Sequence, residues 1–231
     1  MLATYLYDNN ISSFRFDKRS VGKSTSIAES DVDFHSFVSD VSDLINYFDS
    51  DFEDIILLGH SEGVLIGSMA GQSPKVSSFI AVSGISKSLD KVVLDQLAKY
   101  PKLVPLAEKH FEEIKTGQSL SEVTPLLQSL FRPSIAPFLK SVLQINPIDE
   151  IAKLDKPVLI LNGTCDLQVT PDHATALHEV TKNSQLVIIE NMGHAMKELQ
   201  NDCGNAIDAY SKPEMELNTK IKTAVIEFLN R

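Results

Sequence analysis

A serine between two glycines lies at the junction of two apolar runs in the first third of the chain. The stretch 55–70 reads IILLGHSEGVLIGSMA, and its centre, GHSEG, fits the pattern G-x-S-x-G. The run before it is typical of a buried strand, and the run after it is typical of a helix rich in small residues. In that context the pattern indicates a nucleophile elbow. Ser61 is therefore our candidate nucleophile.

A tight turn from strand to helix explains why glycines flank the serine. We expect side chains at positions 59 and 63 to collide with neighbouring elements, and we expect a strained backbone at Ser61. The helix that begins here points its N-terminus at the serine and so favours a developing negative charge. We therefore predict that the backbone N–H of Glu62 donates to an oxyanion.

A serine hydroxyl is a weak nucleophile unless a base takes its proton and a carboxylate orients that base. Two polar loops follow later predicted strands, which is where parallel sheets hold their functional loops. Asp166 follows the strand predicted at 157–163, and His194 follows the strand predicted at 185–190. The order Ser61, Asp166, His194 is the order associated with this type of elbow. We predict that these three residues form a catalytic triad.

The other histidines and acids are weaker candidates. His60 is fixed in the elbow beside the serine, and Asp155 precedes its strand, at the wrong end of the sheet. The rest lie on predicted helices or in a helical insertion: His35, His173, His178, His110, Asp149 and Glu150. For Asp166 and His194 the alternative is a polar loop residue that caps a turn or a helix.

Apolar periodicity predicts an alternation of strands and helices with one interruption. Buried strands read as short continuous apolar runs, whereas helices show apolar residues three and four apart. We predict strands at 11–16, 54–59, 76–84, 157–163 and 185–190, and helices at 1–9, 30–50, 64–72, 171–181 and 211–231. This order predicts an α/β fold with a mostly parallel sheet flanked by helices.

The interruption contains no predicted strand, and prolines divide it into short segments. Its apolar residues share helical faces: Leu89, Val92, Val93 and Leu97; Leu106, Phe111 and Ile114; Val123, Leu126, Leu127 and Leu130. We interpret residues 86–150 as a helical cap inserted between two parts of one core, 1–85 and 151–231. We expect its apolar faces to wall a substrate pocket.

Charge and hydropathy limit the partners. The chain has 231 residues and a net charge of −10 at pH 7, whereas nucleic acids and anionic membranes attract basic surfaces. No apolar run approaches the length of a membrane-spanning helix, and the first ten residues do not resemble a signal peptide. We therefore expect no nucleic-acid or membrane partner and, by default, a cytoplasmic location, and we leave the oligomeric state open.

The chain has two cysteines, Cys165 and Cys203. Their spacing does not indicate a zinc site, and so small a number fits a reducing compartment. The loops that carry them should lie close together in the predicted fold, so a disulfide is an alternative to the two free thiols that we expect.

These motifs together resemble the α/β-hydrolase superfamily. The resemblance rests on ISSFRFDKRSVGKS, IILLGHSEG, PVLILNGTCDLQV and VIIENMGHAMK, and it covers nearly the whole chain. Within the superfamily the chain is similar to bacterial esterases of the serine-aminopeptidase-like and monoacylglycerol-lipase-like group, also through LFRPSIAPFLKSVLQINPIDEIAKL. The resemblance implies a carboxylesterase-type enzyme that cleaves small-molecule esters through an acyl-enzyme, with no metal and no organic cofactor.

The chain departs from the family pattern near its start. The family usually has D-x-R-G-x-G-x-S, whereas Ser20 stands in place of the first glycine. The family also places about three strands before the helix that resembles 1–9, and the last of them leads to the loop with the second oxyanion N–H. In the sheet, that missing strand would lie between the strand predicted at 11–16 and the strand predicted at 54–59. We expect a fragment or a late start site, unless the two strands pair directly or another chain supplies an edge.

Two alternatives to an esterase stay open. One is a serine peptidase that removes N-terminal residues, which needs an acidic anchor such as Glu108, Glu112 or Glu113. The other is a hydrolase-like protein without activity. The missing oxyanion strand favours this reading, and the complete set of three candidate residues disfavours it.

Overall fold

Four parallel strands form the centre of the protein. The computed structural model describes residues 1–200, 203–206 and 208–231. Its strands are β1 (Ile55–His60), β2 (Val76–Val82), β3 (Val158–Gly163) and β4 (Ser184–Ile189), and they lie side by side in chain order. All three pairings are parallel. The prediction of an α/β fold with a parallel sheet is therefore confirmed.

The two central strands, β2 and β3, are largely buried on both faces, as the continuous apolar runs predict. Every residue of β3 is buried. Because side chains alternate along a strand, Leu159 and Leu161 pack with Ile221 and Val225 on one face. Val158, Ile160 and their neighbours pack with Leu177 on the other face. The two cores hold the carboxyl ends of the strands in fixed positions.

Nine helices surround the sheet in the described part of the chain. They are α1 (Leu2–Asp8), α2 (Phe34–Phe48), α3 (Glu62–Ala70), α4 (Leu89–Leu97), α5 (Val104–Thr116), α6 (Ala136–Val142), α7 (Pro147–Ala152), α8 (Pro171–Val180) and α9 (Thr219–Leu229). Local signals set several boundaries. The Asp33 side chain accepts from Ser36 N–H at the start of α2, and Pro171 takes the first position of α8. The predicted helix at 211–231 begins later, at Thr219.

The segment between β2 and β3 is helical, and it has a core of its own. Phe111 and Phe131 pack edge to face with ring centroids 4.8 Å apart, together with Leu127 and Leu139. The helix expected around 123–130 is reduced to a single turn of 3-10 helix at Pro125–Leu127. Much of the apolar surface of this segment is thus buried within it. Its division from the rest of the chain as a cap stays a prediction.

The prediction of a strand at 11–16 is wrong. These residues pair with no strand in the described part of the chain, and the side chains from 12 to 18 are exposed. Strand β1 is an edge strand, and the exposed fraction of Leu58 is 39%. Ile11 packs against the apolar core that contains Leu159 and Leu161, and the Phe14 ring centroid lies 4.9 Å from that of Phe48 on α2. An apolar pattern forms a strand only beside a neighbour that completes its hydrogen bonds.

Candidate active site

The three residues predicted to act together lie at the same edge of the sheet. Ser61 directly follows β1, Asp166 lies three residues after β3, and His194 lies five residues after β4. All of these strands run in the same direction, so their carboxyl ends meet. Asp166 and His194 are 2% and 5% exposed, although each lies in a loop.

Ser61 occupies the turn between β1 and α3 with an unusual backbone. Its φ is 54° and its ψ is −120°, a conformation that is costly for a residue with a side chain. The surroundings hold it, because Ser61 N–H donates to the carbonyl of Val82 (2.9 Å) and the Ser61 carbonyl accepts from Val64 N–H (2.9 Å). The strained backbone predicted from the sequence is present.

The two glycines of the pattern differ. A β-carbon at Gly59 would stand 2.2 Å from the carbonyl oxygen of Gly63, so the expected collision is present there. Apart from its chain neighbours and the backbone of its own helix, a β-carbon at Gly63 would meet no described heavy atom within 4 Å. The expectation of a collision at Gly63 is therefore wrong. Close packing of the turn explains one glycine of the motif and not the other.

Glu62 opens α3 directly after the serine. The first N–H groups of a helix have no acceptor inside the helix, so the Glu62 N–H is available beside the serine hydroxyl. The Glu62 side chain turns to the surface and pairs with Lys18 Nζ at 2.7 Å. The role of the Glu62 N–H as an oxyanion donor stays a prediction.

Asp166 and His194 form a buried hydrogen-bonded pair. His194 Nδ1 lies 2.8 Å from Asp166 Oδ2. The other carboxylate oxygen accepts from the backbone N–H groups of Gln168 (3.0 Å) and Val169 (2.8 Å). Burial alone would raise the pKa of Asp166, but the hydrogen bonds from His194 and Val169 outweigh it, and the pKa lies below its ordinary value. The carboxylate is thus ionised and fixed in orientation.

The serine is not joined to this pair by a hydrogen bond in the structure. Within the described residues, the Ser61 hydroxyl makes no hydrogen bond with His194. A different residue of the elbow makes the connection: His60 Nε2 lies 2.8 Å from the backbone oxygen of His194. The two imidazole rings are 4.8 Å apart between centroids.

A buried asparagine at the end of β3 supports the loop that carries Asp166. Asn162 is fully buried, and its amide nitrogen donates to the carbonyls of Val169 (3.0 Å) and Thr170 (3.1 Å). Its side-chain oxygen accepts from Ser83 Oγ at 3.2 Å. Asn162 is not among the residues predicted from the sequence to belong to the site. The signal that could have found it is a single amide at the end of an otherwise apolar strand.

A disulfide joins the acid loop to the segment after the histidine. Cys165 and Cys203 are bonded, so the expectation of two free thiols is wrong. In the same region, Gln168 Nε2 donates to the hydroxyl of Tyr210 at 2.6 Å. The Tyr210 ring lies 6.4 Å from the ring of His194, and burial raises its pKa to about 12. Tyr210 was also missed, because contacts between distant segments leave no local pattern.

A cleft of about 540 Å³ opens beside the acid loop. Its walls come from the loop after β2, from α4, from α8 and from Leu167 and Gln168. They are polar and apolar in about equal measure, and the polar residues include Lys87, Asp95 and His173. Burial lowers the pKa of His173, and its Nδ1 accepts from Ser86 N–H at 3.0 Å.

Of the rival residues, His60 lies beside Ser61 and contacts the His194 backbone, whereas the others named here make no hydrogen bond with the three candidates among the described residues. Asp155 is at the other end of β3, and His35 is exposed on α2. Three histidines have partners of their own: His173 bonds Ser86, His178 bonds Ser184 and His110 bonds Glu113.

Among the described residues, no group of three or more His, Cys, Asp or Glu side chains is arranged to hold a metal ion. None of the described helices has the length and apolar character needed to cross a membrane.

A sequence model of the alpha/beta hydrolase family matches residues 2–198. The chain belongs to this family. The matched range includes the elbow, the acid loop and the histidine loop. No curated protein matches the sequence.

Solved structures agree with the fold of this chain. An esterase from Exiguobacterium antarcticum is 20% identical with a TM-score of 0.58, and the match covers 100% of this chain and 87% of that one. A structure from Butyrivibrio proteoclasticus with bound ferulic acid is 20% identical with a TM-score of 0.58, covering 91% and 79%. A bromoperoxidase from Bacillus anthracis is 16% identical with a TM-score of 0.57, covering 93% and 80%. At these identities the likeness concerns the fold, and the esterase subgroup stays a prediction.

Proposed function

We propose that this hydrolase cleaves carboxylic esters of small or medium acyl groups through an acyl-enzyme. The observation that carries the proposal is the buried hydrogen bond of 2.8 Å between His194 Nδ1 and Asp166 Oδ2. It leaves His194 Nε2 as the nitrogen that exchanges a proton with Ser61. A histidine oriented in this way beside a strained serine is the arrangement that serine hydrolases require.

In the proposed reaction, Ser61 Oγ attacks the ester carbonyl carbon while His194 Nε2 takes the hydroxyl proton. The carbonyl oxygen becomes an oxyanion, which accepts from the Glu62 N–H at the start of α3. Collapse of this intermediate breaks the bond to the alkoxy oxygen, and His194 returns the proton to the leaving alcohol. Water then attacks the acyl-enzyme with His194 again as base, and this releases the acid and restores Ser61.

Asp166 acts through His194 in both halves of the reaction. Its carboxylate holds the proton of His194 on Nδ1 and stabilises the imidazolium that forms when Nε2 is protonated. A carboxylate that accepts two backbone N–H groups and one imidazole keeps its charge throughout. The missing hydrogen bond between Ser61 and His194 is compatible with this scheme, because such bonds are often long before substrate binds.

Esters are the first substrates to test. An esterase and a structure with bound ferulic acid are among the proteins of this fold. We expect a fluorophosphonate probe to label wild-type protein at Ser61, as mapped by peptide mass, and p-nitrophenyl esters to be hydrolysed. Ser61→Ala should lose both. Ser68→Ala is the matched control, because Ser68 lies on α3, the helix that follows Ser61, and its hydroxyl donates to the Val64 carbonyl.

Each alternative outcome has a clear meaning. Absence of labelling and turnover in folded wild-type protein would contradict the proposal and favour a hydrolase-like protein without activity. Faster turnover of aminoacyl arylamides than of p-nitrophenyl esters would contradict the ester assignment and favour a peptidase. Turnover that persists in Ser61→Ala would contradict the mechanism itself.

A further inference from the structure

His60 makes a contact that fixes its protonation. Its Nε2 lies 2.8 Å from the backbone oxygen of His194, and a carbonyl oxygen only accepts hydrogen bonds. The hydrogen must therefore be on Nε2 of His60. Burial, and next the nearby His194 ring, lower the pKa of His60, which favours the neutral ring with its hydrogen on Nε2.

The contact bridges two distant strands of the sheet. His60 is the last residue of β1, whereas His194 follows β4, and these are the two outer strands of the sheet. Neighbouring strands lie about 4.8 Å apart, so the loop from β4 must reach across about 14 Å to approach Ser61. The side chain of Asp166 holds the imidazole of His194, and His60 holds its backbone from the side of the nucleophile.

We propose that His60 is a positioning residue, whose Nε2–H holds the backbone of His194 so that the imidazole faces the Ser61 hydroxyl. This inference rests on the proposed function. His60 and Ser61 are adjacent in the chain, so the hydrogen bond ties the position of the base directly to the position of the nucleophile. A neutral ring at 4.8 Å also adds no positive charge beside the imidazolium that His194 forms during the reaction.

Two amide substitutions isolate the hydrogen bond. In His60→Gln, the amide nitrogen can stand close to the position of Nε2 and donate to the same carbonyl. In His60→Asn, the shorter side chain cannot reach it. His178→Phe is a control. Like His60, His178 makes a hydrogen bond with its ring (Nδ1 to Ser184 Oγ, 2.7 Å), but it lies at the opposite end of the sheet.

We expect His60→Asn to lower kcat for a p-nitrophenyl ester about tenfold to a hundredfold, with KM changed less than about twofold, because a small displacement of a catalytic group has effects of this size. His60→Gln should recover most of the loss. His178→Phe should have wild-type kinetics. The rate of fluorophosphonate labelling at Ser61 should follow the same order as kcat.

The activity of wild-type protein distinguishes failure of the proposed function from failure of the proposed role of His60. If folded wild-type protein neither hydrolyses esters nor labels, the proposed function fails and this inference falls with it. If wild-type protein is active and His60→Asn matches it, the inference alone is wrong. Equal loss of kcat in the Asn and Gln variants, or a loss confined to KM, would likewise overturn it. Either result would mean that the loss of activity does not come from losing the hydrogen bond to the His194 backbone. Circular dichroism and thermal unfolding verify that each variant is folded.

Discussion

The α-carbon of Gly59 lies against the carbonyl of Gly63, so that a β-carbon at Gly59 would stand 2.2 Å from the Gly63 oxygen. Apart from its chain neighbours and the backbone of its own helix, no described heavy atom lies within 4 Å of a β-carbon built at Gly63. The two glycines of one short motif are therefore under different constraints. Gly59 is required by the close approach of backbone to backbone, whereas Gly63 is inside the first turn of α3 with open space around it.

Gly59→Ala should destabilise the protein and disturb the elbow. Backbone must move to relieve the overlap, and overpacking of this kind costs about 1–3 kcal/mol or more. Gly63→Ala is the matched control. It should leave the free energy of unfolding unchanged or raise it by up to about 1 kcal/mol, because alanine is the better helix former. Urea unfolding measures both. Equal destabilisation by the two substitutions would contradict the geometry of the turn.

The sequence predicted the elements that depend on buried, continuous apolar runs. Strands β1 to β4 lie close to their predicted positions because each carries its own signal and finds a neighbour in the sheet. The stretch 11–16 carries a similar signal but has no neighbour among the described residues, so it forms no strand. A strand forms only when a neighbouring strand completes its hydrogen bonds, and the sequence of one segment does not show whether that neighbour is present.

The candidate site was predictable in its residues and not in its connections. Ser61, Asp166 and His194 follow strands, so their common location follows from a parallel sheet. The contact from His60 to the backbone of His194 joins the two outer strands of the sheet, and the contact from Gln168 to Tyr210 spans 42 residues. The spacing of residues along a short stretch of sequence does not predict contacts between segments this far apart. The sequence placed His60 correctly in the elbow but could not show where its ring points.

Asp166→Asn should abolish most of the ester hydrolysis without unfolding the protein. The amide can present an N–H to His194 Nδ1 and stabilise the wrong tautomer, which in a serine protease costs about 10⁴-fold in kcat. Asp155→Asn is the control, because Asp155 is exposed at the opposite end of the same strand. Steady-state kinetics with p-nitrophenyl esters measure both variants. A loss of less than about tenfold in Asp166→Asn would remove Asp166 from the proposed mechanism.

Loss of the disulfide between Cys165 and Cys203 should lower the free energy of unfolding by about 2–4 kcal/mol, because the bond closes a loop with a sequence separation of 38 residues. Reductant and the double substitution Cys165→Ala with Cys203→Ala should produce similar losses in urea unfolding. Reductant should have no further effect on the double variant, which serves as its control. Wild-type protein that unfolds identically with and without reductant would show that the bond does not contribute to stability.

A buried pair on α5 should make stability depend on pH in acid. Glu113 Oε2 accepts from His110 Nδ1 (2.9 Å) and from the backbone N–H of Ser121 (3.1 Å). These hydrogen bonds, first that from His110, lower the pKa of Glu113 from 4.5 to about 2. A carboxyl with a lowered folded-state pKa stabilises the protein fully above its ordinary pKa, and this contribution is lost as the pH falls towards the folded-state value.

The melting temperature of wild-type protein should therefore fall between pH 4.5 and about pH 2 more steeply than that of Glu113→Gln. Glutamine keeps an acceptor for Ser121 N–H but binds no proton, so the variant lacks this part of the acid dependence. Glu112→Gln, which changes an exposed neighbour on the same helix, should keep the wild-type slope. Thermal unfolding across this pH range, followed by circular dichroism, gives all three slopes. Parallel curves for wild-type protein and Glu113→Gln would show that the hydrogen bonds of Glu113 do not favour its ionised form.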